Sequence, residues 1–225
     1  MSTMKSKSVS LLTIILVITF LLSSCANWSR TTTGAVIGSG AGLAAGSVIG
    51  KTLGNTAAGA IAGAAVGGAV GAIIGRQMDN KAEEIARELD GVTIQRVEEG
   101  IAVSFDSGIL FDFDSSDLRT EARENLRKLA QIMSEDDNTN LMIVGHTDSV
   151  GDENYNMGLS ERRARSAANY MIIQGLDRSR VSIEGRGEYE PIDTNETEEG
   201  RQNNRRVEVA IFASPEYVEQ LKAEN

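Results

Sequence analysis

The stretch LMIVGHTDSVGDENYNMGLSERRARSAANYMIIQG, residues 141–175, decides the fold of the C-terminal half of the chain. It opens with the apolar run LMIV, which is typical of a short buried strand. After a polar loop, small and apolar residues recur at helical spacing at Ala164, Ala167, Ala168, Met171 and Ile172. The order strand, loop, helix predicts one unit of an α/β sandwich. The polar residues 145–148 then lie at the carboxyl end of the strand, where ligands bind in such sheets.

The flanking sequence completes this sheet. Further strands are predicted at residues 92–97, 101–105, 181–183 and 207–211, the first two forming a hairpin. An amphipathic helix beginning near Thr120 lies between them. Strands that alternate with helices predict an α/β fold, a two-layer sandwich of the βαβαβ type with parallel strand pairs, over residues 92–214. Residues 215–225 are predicted to form a C-terminal tail.

The first 24 residues have the features of a lipoprotein signal peptide. Lys5 and Lys7 precede an apolar run over residues 9–22, which has the length of a signal-peptide core. The run ends in LLSSC, which resembles a bacterial lipobox and implies cleavage before Cys25 and attachment of lipid, including palmitate, to that residue. Cys25 is the only cysteine, so an intramolecular disulfide is excluded.

The residue after this cysteine bears on localisation. In enterobacterial sorting an aspartate there retains a lipoprotein in the inner membrane, and here the residue is Ala26. The resemblance therefore implies an outer-membrane lipoprotein, held in the membrane by the lipid on Cys25. Residues 25–33 would be a linker, and a soluble domain would lie in the periplasm.

Glycine recurs at almost every fourth position between residues 34 and 75. The glycines are Gly34, Gly38, Gly42, Gly46, Gly50 and Gly54, followed by Gly59, Gly63, Gly67, Gly71 and Gly75. Residues four apart share one helical face, which allows close approach of another helix. The change of register around residues 51–56 predicts the turn of a glycine-zipper helical hairpin, whose arms would either cross a membrane or self-associate. Residues 76–91 are predicted to form an amphipathic linker helix, as a spacer packed on the next domain or a short coiled coil.

Four motifs then point to one family. FDFDSSDL (111–118), GHTDSVG (145–151), NMGLSERRA (156–164) and EGRQNNRRVEV (199–209) resemble the C-terminal domain of the OmpA family, which binds peptidoglycan non-covalently. With the lipobox and the glycine zipper in front, the whole chain is similar to YiaD-type lipoproteins of that family. The resemblance implies a protein that tethers the outer membrane to the cell wall.

The resemblance also implies the binding residues. The family's diaminopimelate-binding pair falls on Asp148 and Arg163, and Asn156, Thr147 and Arg205 match further polar contacts. The chemistry fits, because diaminopimelate presents an ammonium and a carboxylate on one carbon, which a carboxylate and a guanidinium complement.

Two expectations about this pair stay open. If Ser160 is the N-cap of the helix, Arg163 lies in its first turn, where free amides also favour an anion. Alternatively, Asp148 and Arg163 form a structural salt bridge with each other, an arrangement that ligand binding would open.

Other classes of function are disfavoured. His146 is the only histidine, and we expect its side chain to hold the loop by a hydrogen bond. Because this leaves no usual set of metal ligands and no nucleophile with its base, we predict no metal, no cofactor and no catalytic activity. A net charge of −10 disfavours nucleic acid as a partner. The competing hypotheses are an oligomeric glycine-zipper membrane protein that wall binding only positions, and a peptidoglycan hydrolase using paired carboxylates.

Overall fold

The computed structural model describes residues 55–112 and 114–224 of the chain. The strands are β1 (Val92–Val97), β2 (Gly100–Asp106), β3 (Thr139–Gly145), β4 (Val181–Gly185) and β5 (Arg206–Ala213). The helices are α1 (Thr56–Ala64), α2 (Gly68–Glu88), α3 (Ser107–Leu110), α4 (Thr120–Ser134), α5 (Glu153–Ile173), α6 (Glu198–Asn204) and α7 (Pro215–Glu224). Cys25 and the first arm of the predicted zipper hairpin lie outside the described residues.

One five-stranded sheet, in the order β1-β2-β5-β3-β4, organises the domain. The predicted hairpin is confirmed, with Ile94 opposite Val103 in the β1–β2 register. Only β3 and β4 are parallel. Of the expected parallel pairs this is the one formed, because β5 inserts between β2 and β3 and runs antiparallel to both. The α/β class is nevertheless confirmed.

The larger hydrophobic core lies on one face of the sheet, which we call the front face. Helices α2, α4, α5 and α7 contribute buried residues to it, among them Ile74, Met78, Ile85, Leu126, Leu129, Ala167, Met171, Val218 and Leu221. Residues 215–225 are therefore wrongly predicted as a tail, because Tyr217, Val218 and Leu221 give helix α7 an apolar side that the core buries.

Helix α1 covers the opposite face of the sheet, which we call the rear face. Its apolar residues Ala57, Ala60 and Ile61 pack against Met142, Val144, Ala210 and Phe212. The sandwich thus has a third layer where two were predicted. The strand β5 is buried along its whole length for this reason.

The second arm of the predicted zipper hairpin is not one helix. Helix α1 ends at Ala64 and α2 begins at Gly68. Helix α2 then continues without interruption to Glu88. The predicted boundary between a zipper ending at residue 75 and a linker helix over 76–91 is therefore wrong, since α2 spans it. Within residues 55–112 and 114–224, no helix has both the length and the hydropathy needed to cross a membrane.

Two glycines allow α5 to lie directly on the ends of β3 and β4. A Cβ at Gly145 would be 2.1 Å from the carbonyl oxygen of Ser160, and one at Gly185 would be 2.7 Å from the amide nitrogen of Glu161. The helix begins seven residues before Ser160, because Asp152 accepts hydrogen bonds from the amides of Asn154 and Tyr155 and forms the N-cap. The prediction that Ser160 is the N-cap of this helix is therefore wrong.

Gly145→Ala is expected to destabilise the fold. The added methyl group meets backbone that cannot move without shifting α5, so the free energy of unfolding should fall by about 1–3 kcal/mol in urea unfolding of residues 55–225. Gly75→Ala is the matched control, since only the tip of Arg96 lies near its Cβ position, and it should be neutral or stabilising. Equal effects of the two substitutions would contradict this account of the packing.

Candidate functional site

A cleft with a volume of about 720 Å³ lies beyond the carboxyl end of β3. The five residues proposed from sequence, Thr147, Asp148, Asn156, Arg163 and Arg205, all line it. They come from the loop after β3, from α5 and from the residue that ends α6. The close contact of α5 with the sheet therefore gathers side chains that are far apart in the sequence.

The loop after β3 is fixed by backbone hydrogen bonds on both sides. The amide of His146 donates to Arg206 O (2.9 Å), and the amide of Thr147 donates to Gly187 O (2.8 Å). Asp148 then accepts a hydrogen bond from the amide of Val150 through Oδ1 (3.0 Å). Its carboxylate is consequently held in one orientation at the wall of the cleft, and it is 8% exposed.

The ion-pair partner of Asp148 is Arg205. Nη1 of Arg205 lies 2.6 Å from Asp148 Oδ2, and its Nη2 lies 2.8 Å from Oε1 of Glu198. Burial lowers the pKa of Arg205, but its hydrogen bonds to Asp148 and Glu198 outweigh this effect, so that the pKa is raised overall. Arg205 thus remains charged and orients the carboxylate of Asp148.

Arg163 has a different environment. It lies in the middle of α5, is 5% exposed, and donates from Nε to Ser115 O (3.0 Å). Its guanidinium is 5.3 Å from the centre of the Phe111 ring. Burial lowers the pKa of Arg163, and the nearby charge of Arg205 lowers it further. Among the residues that the structure describes, no carboxylate forms an ion pair with Arg163.

These contacts decide one of the questions left open by the sequence. Asp148 and Arg163 line the same cleft but do not bridge each other, and Asp148 pairs with a residue 57 positions away. Because Arg163 lies well inside α5, the free amides of the first helical turn do not contribute to an anion site at its guanidinium.

Asn156 and Thr147 add neutral polar groups to the cleft. The side-chain amide of Asn156 donates to the carbonyl oxygens of Asp148 (3.3 Å) and Val150 (3.2 Å) and to Oε2 of Glu188 (2.7 Å). It therefore ties α5 to the β3 loop. Oγ1 of Thr147 is buried and has no hydrogen-bond partner among the described residues. A hydroxyl of this kind can donate to, or accept from, a bound ligand.

The charges around the cleft are balanced. Four arginines and four carboxylates line it: Arg119, Arg163, Arg201, Arg205, Asp112, Asp114, Asp148 and Glu198. The chain as a whole carries a net charge of −10. In charge, the cleft is therefore complementary to a ligand that carries both a positive and a negative group.

Three residues that support the site were not predicted from the sequence. Phe111 and Ser115 contact Arg163, and Glu198 holds Arg205. Phe111 and Ser115 belong to the motif FDFDSSDL, and Glu198 stands just before the motif EGRQNNRRVEV, so proximity to these motifs was the available signal.

The single histidine lies outside the cleft. His146 is 1% exposed, and neither ring nitrogen has a hydrogen-bond partner among the described residues. The expectation that its side chain holds the loop by a hydrogen bond is therefore wrong, and the backbone bonds described above hold the loop instead. Burial, together with the charges of Arg206 and Arg186, places the pKa of His146 well below its usual value.

Within residues 55–112 and 114–224, no three or more His, Cys, Asp and Glu side chains are grouped so that they could hold a metal ion.

The fold and the cleft define an OmpA-type domain, and the chain belongs to the OmpA family. The model of the OmpA family matches residues 110–205, and the model of the YMGG-like Gly-zipper matches residues 4–79. Both resemblances predicted from the sequence motifs are thereby confirmed.

Three relatives each match about half of the chain. Outer membrane protein A of Bordetella avium is 46% identical, over 50% of this chain and 58% of its own length. The probable lipoprotein YiaD of Escherichia coli K12 is 36% identical, over 54% of this chain and 55% of its own length. The outer-membrane lipoprotein YfiB of Pseudomonas aeruginosa is 35% identical, over 52% of this chain and 69% of its own length. The chain thus matches only a little over half of the first two relatives.

Two solved structures have the same fold. A MotB-like protein from Desulfovibrio vulgaris superimposes with a TM-score of 0.59 at 22% identity, over 64% of this chain and 96% of its own. The cell wall anchor of the T6SS from Pseudomonas aeruginosa superimposes with a TM-score of 0.50 at 28% identity, over 63% of this chain and 97% of its own.

The stability of the domain should depend on pH through His146. Because the folded state excludes a proton that the unfolded state accepts, stability is retained above the usual histidine pKa of about 6.5 and lost below it, by up to about 1.4 kcal/mol per pH unit. Urea unfolding of residues 55–225 between pH 7.5 and 5.5 measures this slope. His146→Gln should have a smaller slope, and since the chain has no other histidine, an unchanged slope would contradict the assignment.

Proposed function

We propose that this protein is an outer-membrane lipoprotein that binds peptidoglycan non-covalently through the diaminopimelate of the stem peptide. With the lipid on Cys25 at one end and the cleft at the other, it would tether the outer membrane to the cell wall. The cleft is the part of this proposal that rests on described residues. The lipid anchor rests on the sequence alone.

The observation that carries the proposal is the state of Arg163. A guanidinium that is 5% exposed normally has a carboxylate partner, because a buried charge without one is costly. Among the described residues, the side chain of Arg163 has one hydrogen bond, to a backbone carbonyl, and one ring contact. Its remaining N–H groups suit a bidentate bond to the carboxylate of a ligand.

Asp148 would receive the ammonium group on the same carbon of diaminopimelate. A carboxylate offers about four lone-pair positions, and the amide of Val150 and Nη1 of Arg205 occupy two of them. Arg205 therefore acts by orienting Asp148, which refines its predicted role as a direct contact. Thr147 would supply a neutral hydrogen bond, and Asn156 would hold the loop in place.

The relatives support the cellular setting. YfiB and Outer membrane protein A are named as outer-membrane proteins, and YfiB as a lipoprotein, in agreement with the localisation predicted from Cys25 and Ala26. The T6SS protein is described as a cell wall anchor, and its identity to this chain is 28%. Binding to the wall is the property that we transfer to this chain.

Binding without hydrolysis is part of the proposal. The cleft contains carboxylates, but the one histidine is buried away from it and so cannot act there as a general base. Asp148 and Glu198 are both paired with Arg205, which favours binding over acid–base catalysis for these two acids. We therefore expect no release of soluble wall fragments.

Cosedimentation with purified sacculi that contain meso-diaminopimelate tests this function. Arg163→Ala and Asp148→Ala in residues 55–225 should each weaken binding at least about tenfold, because each leaves one charge of the ligand unpaired. Arg163→Lys should retain part of the affinity, since lysine keeps the charge but loses the bidentate geometry.

The matched control is Arg162→Ala. Arg162 is the exposed neighbour of Arg163 and lies 5.7 Å from the ring of Tyr155, so its loss should change binding less than about twofold. Sacculi whose stem peptides carry lysine lack the second carboxylate and should bind weakly. If Arg163→Ala and Asp148→Ala sediment as well as the parent, the proposed site is wrong. Soluble fragments released from labelled sacculi would instead indicate a hydrolase.

A further inference from the structure

The docking of α1 on the rear face depends on a polar contact at the start of the helix. The amide of Thr56 donates to Oε2 of Glu190 (2.9 Å), and its hydroxyl donates to Oε1 of the same carboxylate. That hydroxyl also accepts a hydrogen bond from Nε of Arg186 (2.6 Å). With α1 docked, Glu190 is 5% exposed and also lies 3.4 Å from Nε of Arg186, and removal of α1 would deprive its carboxylate of two donors.

The apolar part of the rear face also depends on α1, which buries it. Met142, Val144, Ala210 and Phe212 are buried by Ala57, Ala60 and Ile61 of α1. At Gly100 the contact is so close that a Cβ would lie 2.4 Å from Cγ2 of Ile61. The shape of the rear face is therefore complementary to the side chains of α1.

The connection between α1 and α2 is short and conformationally unusual. Residues 65–67 separate the helices, and both Gly67 (φ 68°) and Gly68 (φ 66°) have positive φ values that other residues rarely adopt. The carboxylate of Glu99 accepts hydrogen bonds from the amides of Val66 (2.6 Å) and Gly67 (2.8 Å). Two glycines and one acid thus maintain the bend, which we call the hinge.

The sequence through the hinge is compatible with a continuous helix. Gly59, Gly63, Gly67, Gly71 and Gly75 keep a spacing of four with no interruption where the bend occurs. Neither of the two prolines in the chain lies between residues 56 and 88. In a straight helix over these residues, the amides that Glu99 now binds would bond to carbonyls one turn earlier.

We propose that α1 is exchanged between two copies of this chain. The hinge straightens, residues 56–88 form one helix, and α1 docks on the rear face of the second copy while that copy's α1 docks on the first. Every contact of α1 with Glu190, Arg186 and the apolar rear face is reproduced between the copies. Only the hinge changes conformation, which is the condition under which domain swapping requires little free energy. The regularly spaced glycines then support dimerisation by allowing α1 to dock on the sheet of the other copy.

The double variant Gly67→Ala/Gly68→Ala tests the exchange in the full chain in detergent, with molar mass measured by light scattering. Alanine disfavours the positive φ values of the hinge and favours the helix, so the dissociation constant of the dimer should fall at least about tenfold. Gly175→Ala is the matched control. Gly175 also has a positive φ (111°) and free space around its Cβ position, but it lies at the end of α5, so the mass should not change.

Disulfide trapping identifies the partner of α1. Copies with Ala60→Cys and copies with Ala210→Cys, two small residues of the same buried cluster, carry different tags and are mixed in the hinge-variant background, where exchange predicts a disulfide between copies. If the double hinge variant does not fold, Gly68→Ala replaces it, with a smaller expected shift in mass. An unchanged mass would overturn the proposal. So would a dimer in which Ala60→Cys and Ala210→Cys, placed on one chain, link only within that chain, because the glycine stripes would then pair directly.

Discussion

The close approach of α5 to the ends of β3 and β4 is the constraint on which the binding cleft depends. Gly145 and Gly185 leave room for the backbone of the helix at Ser160 and Glu161. The hydroxyl of Ser160 also accepts a hydrogen bond from the amide of Gly187, which joins the helix to the loop after β4. A larger residue at either glycine would move α5 outward, and with it Arg163.

This arrangement separates two arginines that the sequence alone cannot distinguish. Arg205 is satisfied by Asp148 and Glu198, so its role is to orient an acid. Arg163 is more deeply buried and lies over Phe111, and no carboxylate of the described residues forms an ion pair with it, which is why we propose it as the group that binds an anion. A cleft with equal numbers of positive and negative groups then favours a zwitterion over an ion of either sign, despite the acidic character of the chain.

Much of the front half of the sandwich could be predicted, because its signals are local. Apolar runs marked the strands, and helical spacing of alanines marked α5. The rear layer could not be predicted in the same way. The alternation of Val207, Val209 and Ile211 indicated one buried face. Ala210 and Phe212, which alternate with them on the other face, are covered by a glycine-rich helix that resembles a membrane zipper. The candidate site residues were predicted from the motifs. The ion pair between Asp148 and Arg205 could not be predicted, because the two residues are 57 positions apart in the sequence and local patterns do not indicate such pairs.

The central claim is that Arg163 binds the free carboxylate of diaminopimelate while Asp148 binds the ammonium beside it. Isothermal calorimetry with two soluble stem peptides tests it most directly, one with this carboxylate free and the other with it converted to an amide. The account predicts that amidation weakens binding to residues 55–225 at least about tenfold, and that Arg163→Ala removes most of the difference between the peptides. Equal affinities of the parent protein for the two peptides would contradict it.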